Sequence, residues 1–341
     1  MPIDSNFSLR WEPERVLDWY GRKCWLVGCN YIPSTAVNQL EMWQEDTFDS
    51  DRICVELGWA AEMGMNTLRV FLHNLVWEVD PQGFVERIDR FLEIAAGLGF
   101  STLMVLLDDC WNPGARAGKQ SEPIPGVHNS RWLQCPGATQ VTDPTAWPGL
   151  KRYVLAILKA FAADERVLAW DLYNEPGNSD LGEKSLPLLQ TVFKWAREVN
   201  PSQPLTAGLW ADLPALNDYQ VEASDVISFH HYGPVDKLRE TIGGLRRENR
   251  PILCTEYMAR TLGSLFETHL PVFAKEQIGC YNWGLVAGKT QTHYPWNSPQ
   301  GADEPKVWFA DILRGDGTPY SANEVDCIKR ARARFLPGDS R

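Results

Sequence analysis

Short apolar runs alternate along the chain with longer stretches of helical period. Eight runs stand out: Trp25–Tyr31, Asn66–Leu72, Thr102–Asp108, Val167–Tyr173, Pro204–Gly208, Asp225–Phe229, Pro251–Thr255 and Gly279–Trp283. Runs of this length, bounded by turn formers, suit strands buried on both faces, as in parallel sheets. The segments between them read as helices. Asp51–Gly64 sets Ile53, Leu57, Ala60 and Ala61 on one face and stops at Gly64, a good C-terminal stop. Val85–Leu98 repeats apolar residues at spacings of three and four, as does Trp147–Ala163, so each buries one stripe. Eight strands with helices between them predict an α/β fold, a single (β/α)8 TIM barrel with long loops on its C-terminal face. The expected barrel occupies residues 25–336 of one domain spanning 1–341. Residues 1–24 precede it, and there Val16–Cys24, with Gly21 in a turn, reads as a hairpin across the barrel floor.

Two irregular stretches follow strands. Asp109–Thr145 comes after the third and carries Trp111, Pro113, Pro123, Pro125, Trp132 and Pro136. Loops this long inside a compact domain are usually functional, and this one leaves the face where barrels place their sites. Gly288–Gly301, after the eighth strand, carries His293, Tyr294 and Trp296.

Composition narrows the partner class. The net charge is −11 with Lys and Arg scattered, which argues against nucleic acid or an anionic membrane as partner. No apolar run reaches transmembrane length and no signal peptide is visible at Met1–Asn6, so a cytoplasmic protein is expected, or a secreted one if a leader was trimmed. The eight Cys lack metal-ligand spacing, and Cys24, Cys29, Cys254 and Cys280 fall in strand-like runs, where a thiol acts as a small hydrophobe. Fifteen Trp, many in Gly/Pro-rich stretches, suggest flat faces for sugar rings and hence a carbohydrate ligand.

Two glutamates end apolar strands. Glu175 closes Ala169-Trp170-Asp171-Leu172-Tyr173-Asn174-Glu175-Pro176, and Glu256 closes Pro251-Ile252-Leu253-Cys254-Thr255-Glu256. On the fourth and seventh strands they would meet across the barrel mouth, one to protonate a leaving oxygen and one to meet an oxocarbenium-like centre. The combination resembles clan A of the glycoside hydrolases, and most closely family 5, the cellulase/mannanase-type family. Asn174-Glu175-Pro176 matches that clan's acid/base signature, Glu256 its nucleophile, and His230-His231-Tyr232 a His-x-Tyr after the sixth strand. Arg69 and Trp283 also fit.

The resemblance implies a retaining hydrolase of β-linked glycosides, of β-1,4-glucan or mannan type, with Glu175 as acid/base and Glu256 as nucleophile. The missing export signal favours an exo-acting β-glycosidase on short oligosaccharides as the alternative. Asn174 would hold a sugar hydroxyl, Tyr232 would donate to Glu256, Arg69 would supply fixed charge, and Trp283 would form a platform. Asn30, His230, Trp111 and Trp210 are further candidates for substrate contact. Many family members end the third strand with His, whereas here the text is Leu107-Asp108-Asp109-Cys110-Trp111. Asp108 or Asp109 is the candidate replacement, or else an ordinary loop cap. Trp111, Trp132, Trp210 and Trp296 serve either sugar stacking or loop anchoring.

No cofactor or metal is expected. His230 and His231 are adjacent on a strand and face opposite sides, and no third His stands at ligand spacing. A metal-dependent barrel hydrolase and a non-catalytic carbohydrate-binding barrel remain the rivals.

Overall fold

A computed structural model describes residues 10–335. Eight strands, β1 (Val27–Asn30), β2 (Thr67–Phe71), β3 (Ser101–Val105), β4 (Val167–Asp171), β5 (Leu205–Thr206), β6 (Ile227–His231), β7 (Ile252–Tyr257) and β8 (Gly279–Trp283), pair in the order β5-β4-β3-β2-β1-β8-β7-β6. Every ladder is parallel. A parallel bridge from Leu209 to Phe229 spans the remaining gap beside the short β5, so the sheet closes on itself as the expected TIM barrel. Each strand lies within or close to its apolar run. Gly28 is required at its place: a Cβ there would stand 1.8 Å from the Thr67 carbonyl oxygen.

The helices follow their apolar stripes. Pro81–Gly97 begins at Asp80, whose side chain accepts from Gly83 N, and buries Phe84, Ile88, Phe91, Leu92 and Ala95. The cap satisfies one of the free first-turn amides. Gly99, at φ +88°, then turns the chain back into β3. Ser50–Glu62, capped by Asp49, and Trp147–Phe161, which has no side-chain cap, bury their apolar stripes in the same way.

The N-terminal expectation is corrected. The stretch read as a hairpin is helical, Pro13–Gly21, with proline in its first turn and Val16 and Trp19 buried three residues apart. Proline at the start presets the helical φ, and the spacing of three gives those two side chains one face. The placement on the floor holds. Trp11 N donates to Asp225 Oδ1, and Gly279 N donates to the Tyr20 hydroxyl, both at strand beginnings. Trp11, Val16 and Trp19 belong to one apolar cluster with Leu26, Leu103, Val105, Leu168, Leu253 and Tyr281, which fills the lumen from below. Cys24 also departs from expectation, since it is exposed; Cys29, Cys254 and Cys280 are buried, and all eight thiols are free. Among the described residues no helix is long and apolar enough to cross a membrane.

Candidate active site

Above the apolar lumen lies a polar layer centred on Arg69 of β2, whose side chain is wholly buried. Its guanidinium donates to Asp171 Oδ2 at 2.7 Å, Asn174 Oδ1 at 2.6 Å, Asn30 Oδ1 at 2.8 Å and Glu256 Oε1 at 2.7 Å. Burial alone would depress its pKa, but Asp171 and Glu256 outweigh that and push it up. A planar fork with five donors is the side chain that can serve so many acceptors at once.

Glu256 lies near the end of β7. Its Oε2 accepts from the Tyr232 hydroxyl at 2.6 Å. Burial, and then the charge of Glu256, hold the phenol well above its usual pKa, so the O–H stays available to donate. Burial also raises the Glu256 carboxyl, with His230 and Arg69 opposing.

Glu175 sits beyond β4 at φ +43°, a left-handed conformation that costs a non-glycine residue energy. The turn is held from behind by Asp109, which accepts from Gly177 N at 2.8 Å, the Tyr173 hydroxyl at 2.5 Å and Ser185 Oγ at 2.5 Å. Glu175 Oε1 lies 2.6 Å from His230 Nδ1, and Oε2 accepts from Asn178 Nδ2 at 2.5 Å and from the Cys110 thiol at 3.2 Å. Burial raises this carboxyl too, opposed by Cys110, Asn178 and Arg69. His230 Nδ1 is also 3.5 Å from Glu256 Oε2. Burial pushes the His230 pKa down to about 4, against the pull of Glu256.

An oxygen of each glutamate and a ring nitrogen of His230 all lie within 4.8 Å of one another. The two carboxyl groups therefore face each other across the barrel mouth with His230 between them. The same trio is close enough to ligate an ion. However, the guanidinium bonded to Glu256 would set like charge beside any cation there, so the donor set fits proton transfer better than metal binding.

The remaining expected residues divide into groups. Trp283 lies at the end of β8, its ring 5.8 Å from Phe71 and 5.5 Å from Trp132. His231 turns away from His230, toward the Pro234 carbonyl. Asn30, expected as a substrate contact, is buried against Arg69. Its oxygen serves Arg69 and its Nδ2 donates to the Thr255 carbonyl, so it is a strut for the guanidinium. Asp109 is likewise spent behind the turn, and burial raises its pKa to about 7. Asp108 accepts from Asn174 Nδ2, Trp132 Nε1 and Cys110 N, so it orients Asn174 while capping the loop; burial raises it to about 6. Trp132 is buried and anchors the loop. Trp111 and Trp296 are 42% and 38% exposed, and the Trp296 ring stands 4.9 Å from that of Tyr232. Trp210, half-buried, donates to the Pro176 carbonyl beside Glu175.

Three residues at the site were not anticipated. Asp171 carried a signal, being a carboxylate inside an apolar strand, which demands a buried cation. Cys110 and Asn178 carried none, because loop geometry alone brings them to Glu175.

A family model described as cellulase (glycosyl hydrolase family 5) matches residues 59–297. No match emerges among curated proteins. Among solved structures, a variant of GH5_18 from Streptomyces cattleya in complex with Manβ1-4GlcNAc is similar at a TM-score of 0.63 and 15% identity, covering 93% of this chain and 82% of that one. An exo-β-1,4-mannosidase from Opitutaceae bacterium strain TAV5 gives 0.63 and 18%, covering 98% and 62% respectively. An endo-β-1,4-mannanase from Thermotoga petrophila gives 0.62 and 13%, covering 94% and 79%. At such identities these likenesses speak for the fold.

Proposed function

Given that the chain belongs to glycosyl hydrolase family 5, and is thereby a retaining O-glycosyl hydrolase of β-linked glycosides, we propose that it removes single sugars from the non-reducing ends of short β-1,4-linked oligosaccharides, mannosides foremost. The observation that carries exo action is a wall on one side of the glutamate pair. The leaving group departs toward Glu175 on the β4 side, so the sugar being released sits toward Trp283 on β8. On that side the loops after β1, β3 and β8 are bonded to one another. Asn129 N donates to the Thr290 carbonyl, His128 Nδ1 lies 2.7 Å from the Tyr294 carbonyl oxygen, and Gln291 Nε2 donates to the Ile124 carbonyl. Asn38 Nδ2 donates to the Arg131 carbonyl, and Lys289 pairs with Glu41. A small cavity lined by Asn30, Phe71, Trp132, Trp283 and Thr290 lies among these loops. Mannose is favoured as the sugar because two of the similar structures are named for β-1,4-mannoside cleavage and a third holds Manβ1-4GlcNAc.

In this reading ionised Glu256 attacks the anomeric carbon while Glu175 gives its proton to the departing oxygen, breaking the C1–O bond and leaving a glycosyl ester on Glu256. Glu175, now a carboxylate, takes a proton from water as that water attacks C1, and the ester bond breaks with Glu256 restored. Arg69 and Tyr232 stabilise the charge on Glu256 as it leaves.

The test is product analysis on β-1,4-manno-oligosaccharides of increasing length, labelled at the reducing end. Monosaccharide release from the unlabelled end, first as the β-anomer, is expected. Internal cleavage from the outset would overturn exo action, and faster turnover of gluco-oligosaccharides would replace the sugar.

A further inference from the structure

Three polar side chains around Glu175 have their hydrogen-bonding directions forced. Asn174 Oδ1 faces the Arg69 guanidinium at 2.6 Å, so its amide hydrogens face Asp108 Oδ1 at 2.9 Å and Cys110 Sγ at 3.4 Å. Asn178 Oδ1 accepts from Ser179 N, so its hydrogens face Glu175 Oε2 at 2.5 Å and Cys110 Sγ at 3.4 Å. The sulfur thus accepts from two amides. Burial, with the charges of Asp108 and Glu175 beside it, holds the thiol protonated, and its one hydrogen has Glu175 Oε2, 3.2 Å away, to meet. That oxygen therefore accepts two donors. Glu175 Oε1, by contrast, faces His230 Nδ1 on the side of Glu256.

We propose that Cys110 and Asn178 are positioning residues for proton transfer, holding Glu175 Oε2 as a standing acceptor so that the transferred proton is carried on Oε1, the oxygen on the side of His230 and Glu256. The proposal rests on the reading of Glu175 as acid/base. A carboxyl oxygen engaged by two donors has little capacity left for a proton of its own, so the two donors choose the oxygen that carries it. They also favour the ionised form, which Glu175 needs when it acts as base on water. Asn174, expected to meet a sugar hydroxyl, already spends both amide hydrogens. A bound sugar would therefore compete with the thiol for one of them, which couples substrate arrival to the setting of Glu175.

The test is the alkaline limb of the kcat/KM pH profile on an aryl β-glycoside with a poor leaving group, where the acid must be protonated. Each donor stabilises the carboxylate, so its removal raises the pH at which the acid loses its proton. Cys110→Ala and Asn178→Ala should each move the limb up by about half a unit to one unit, and Cys110→Ser should bring it back toward wild type. Asn178→Ala decides the matter where Cys110→Ala does not fold. An unmoved limb in the folded variants overturns the inference. Failure of the underlying reading looks different: the limb would then persist in Glu175→Gln.

Discussion

Arg69 and Glu256 stand 2.7 Å apart in the buried polar layer, and the same guanidinium bonds Asp171 at 2.7 Å. One cation thus supports two buried carboxylates and, through Asn174, the strand end that carries Glu175. Removing it leaves both carboxylates without compensation, a loss typically of about 3–5 kcal/mol. Arg69→Met should unfold earlier in a denaturant titration by roughly that amount. Its acid limb of kcat/KM should also move up, since Glu256 then ionises less readily. Unchanged stability and an unchanged acid limb would mean the guanidinium is inert.

Glu256→Ala should abolish turnover, because no covalent intermediate can form. Glu175→Ala should retain activity on aryl glycosides whose leaving groups need no protonation, and azide should restore its turnover with formation of a β-glycosyl azide. Losses of equal size across all leaving groups, unaffected by azide, would reverse the role given to Glu175.

Asp109 makes a pH prediction for stability. Burial raises its folded pKa to about 7 from an ordinary value of 3.8. Between these values the native state holds a proton that the unfolded chain has lost, so its contribution is full below about pH 4 and is lost as pH rises toward 7. Buried His73 and His128, lowered to about 4, contribute with the opposite sign. The difference between wild type and Asp109→Asn therefore isolates the effect: the variant's stability should fall less steeply over that window. Parallel stability curves would contradict it.

The β3 loop offers a test of substrate length. Asn112 N donates to the Trp132 carbonyl at 3.2 Å, so the loop's stem is already closed and residues 115–129 can be replaced by a short turn. This removes the contacts of His128 and Asn129 with the β8 loop. Activity on β-1,4-mannan polymer relative to disaccharide should rise in a folded variant. An unchanged ratio would place the wall elsewhere.

Local pattern was enough for the strands, for most of the helices examined in sequence, and for the positions of Glu175 and Glu256. The reason is that burial periodicity and strand ends are properties of neighbouring residues. It failed at Val16–Cys24, where a few apolar residues fit either period and proline at the start decides for helix. It also failed to separate Asp108 from Asp109. Adjacent in the chain, they point to different sides once the loop leaves β3, one to Asn174 and the other to the turn behind Glu175. Which neighbour answers Glu175 lay beyond any local signal. Cys110 and Asn178 are remote in sequence and meet only because the β3 and β4 loops pack together, with Trp111 and Glu175 both at positive φ. The residues that bear charge could be read along the chain. The donors that decide where each proton rests are set by contacts between distant segments, and those exist only in the folded barrel.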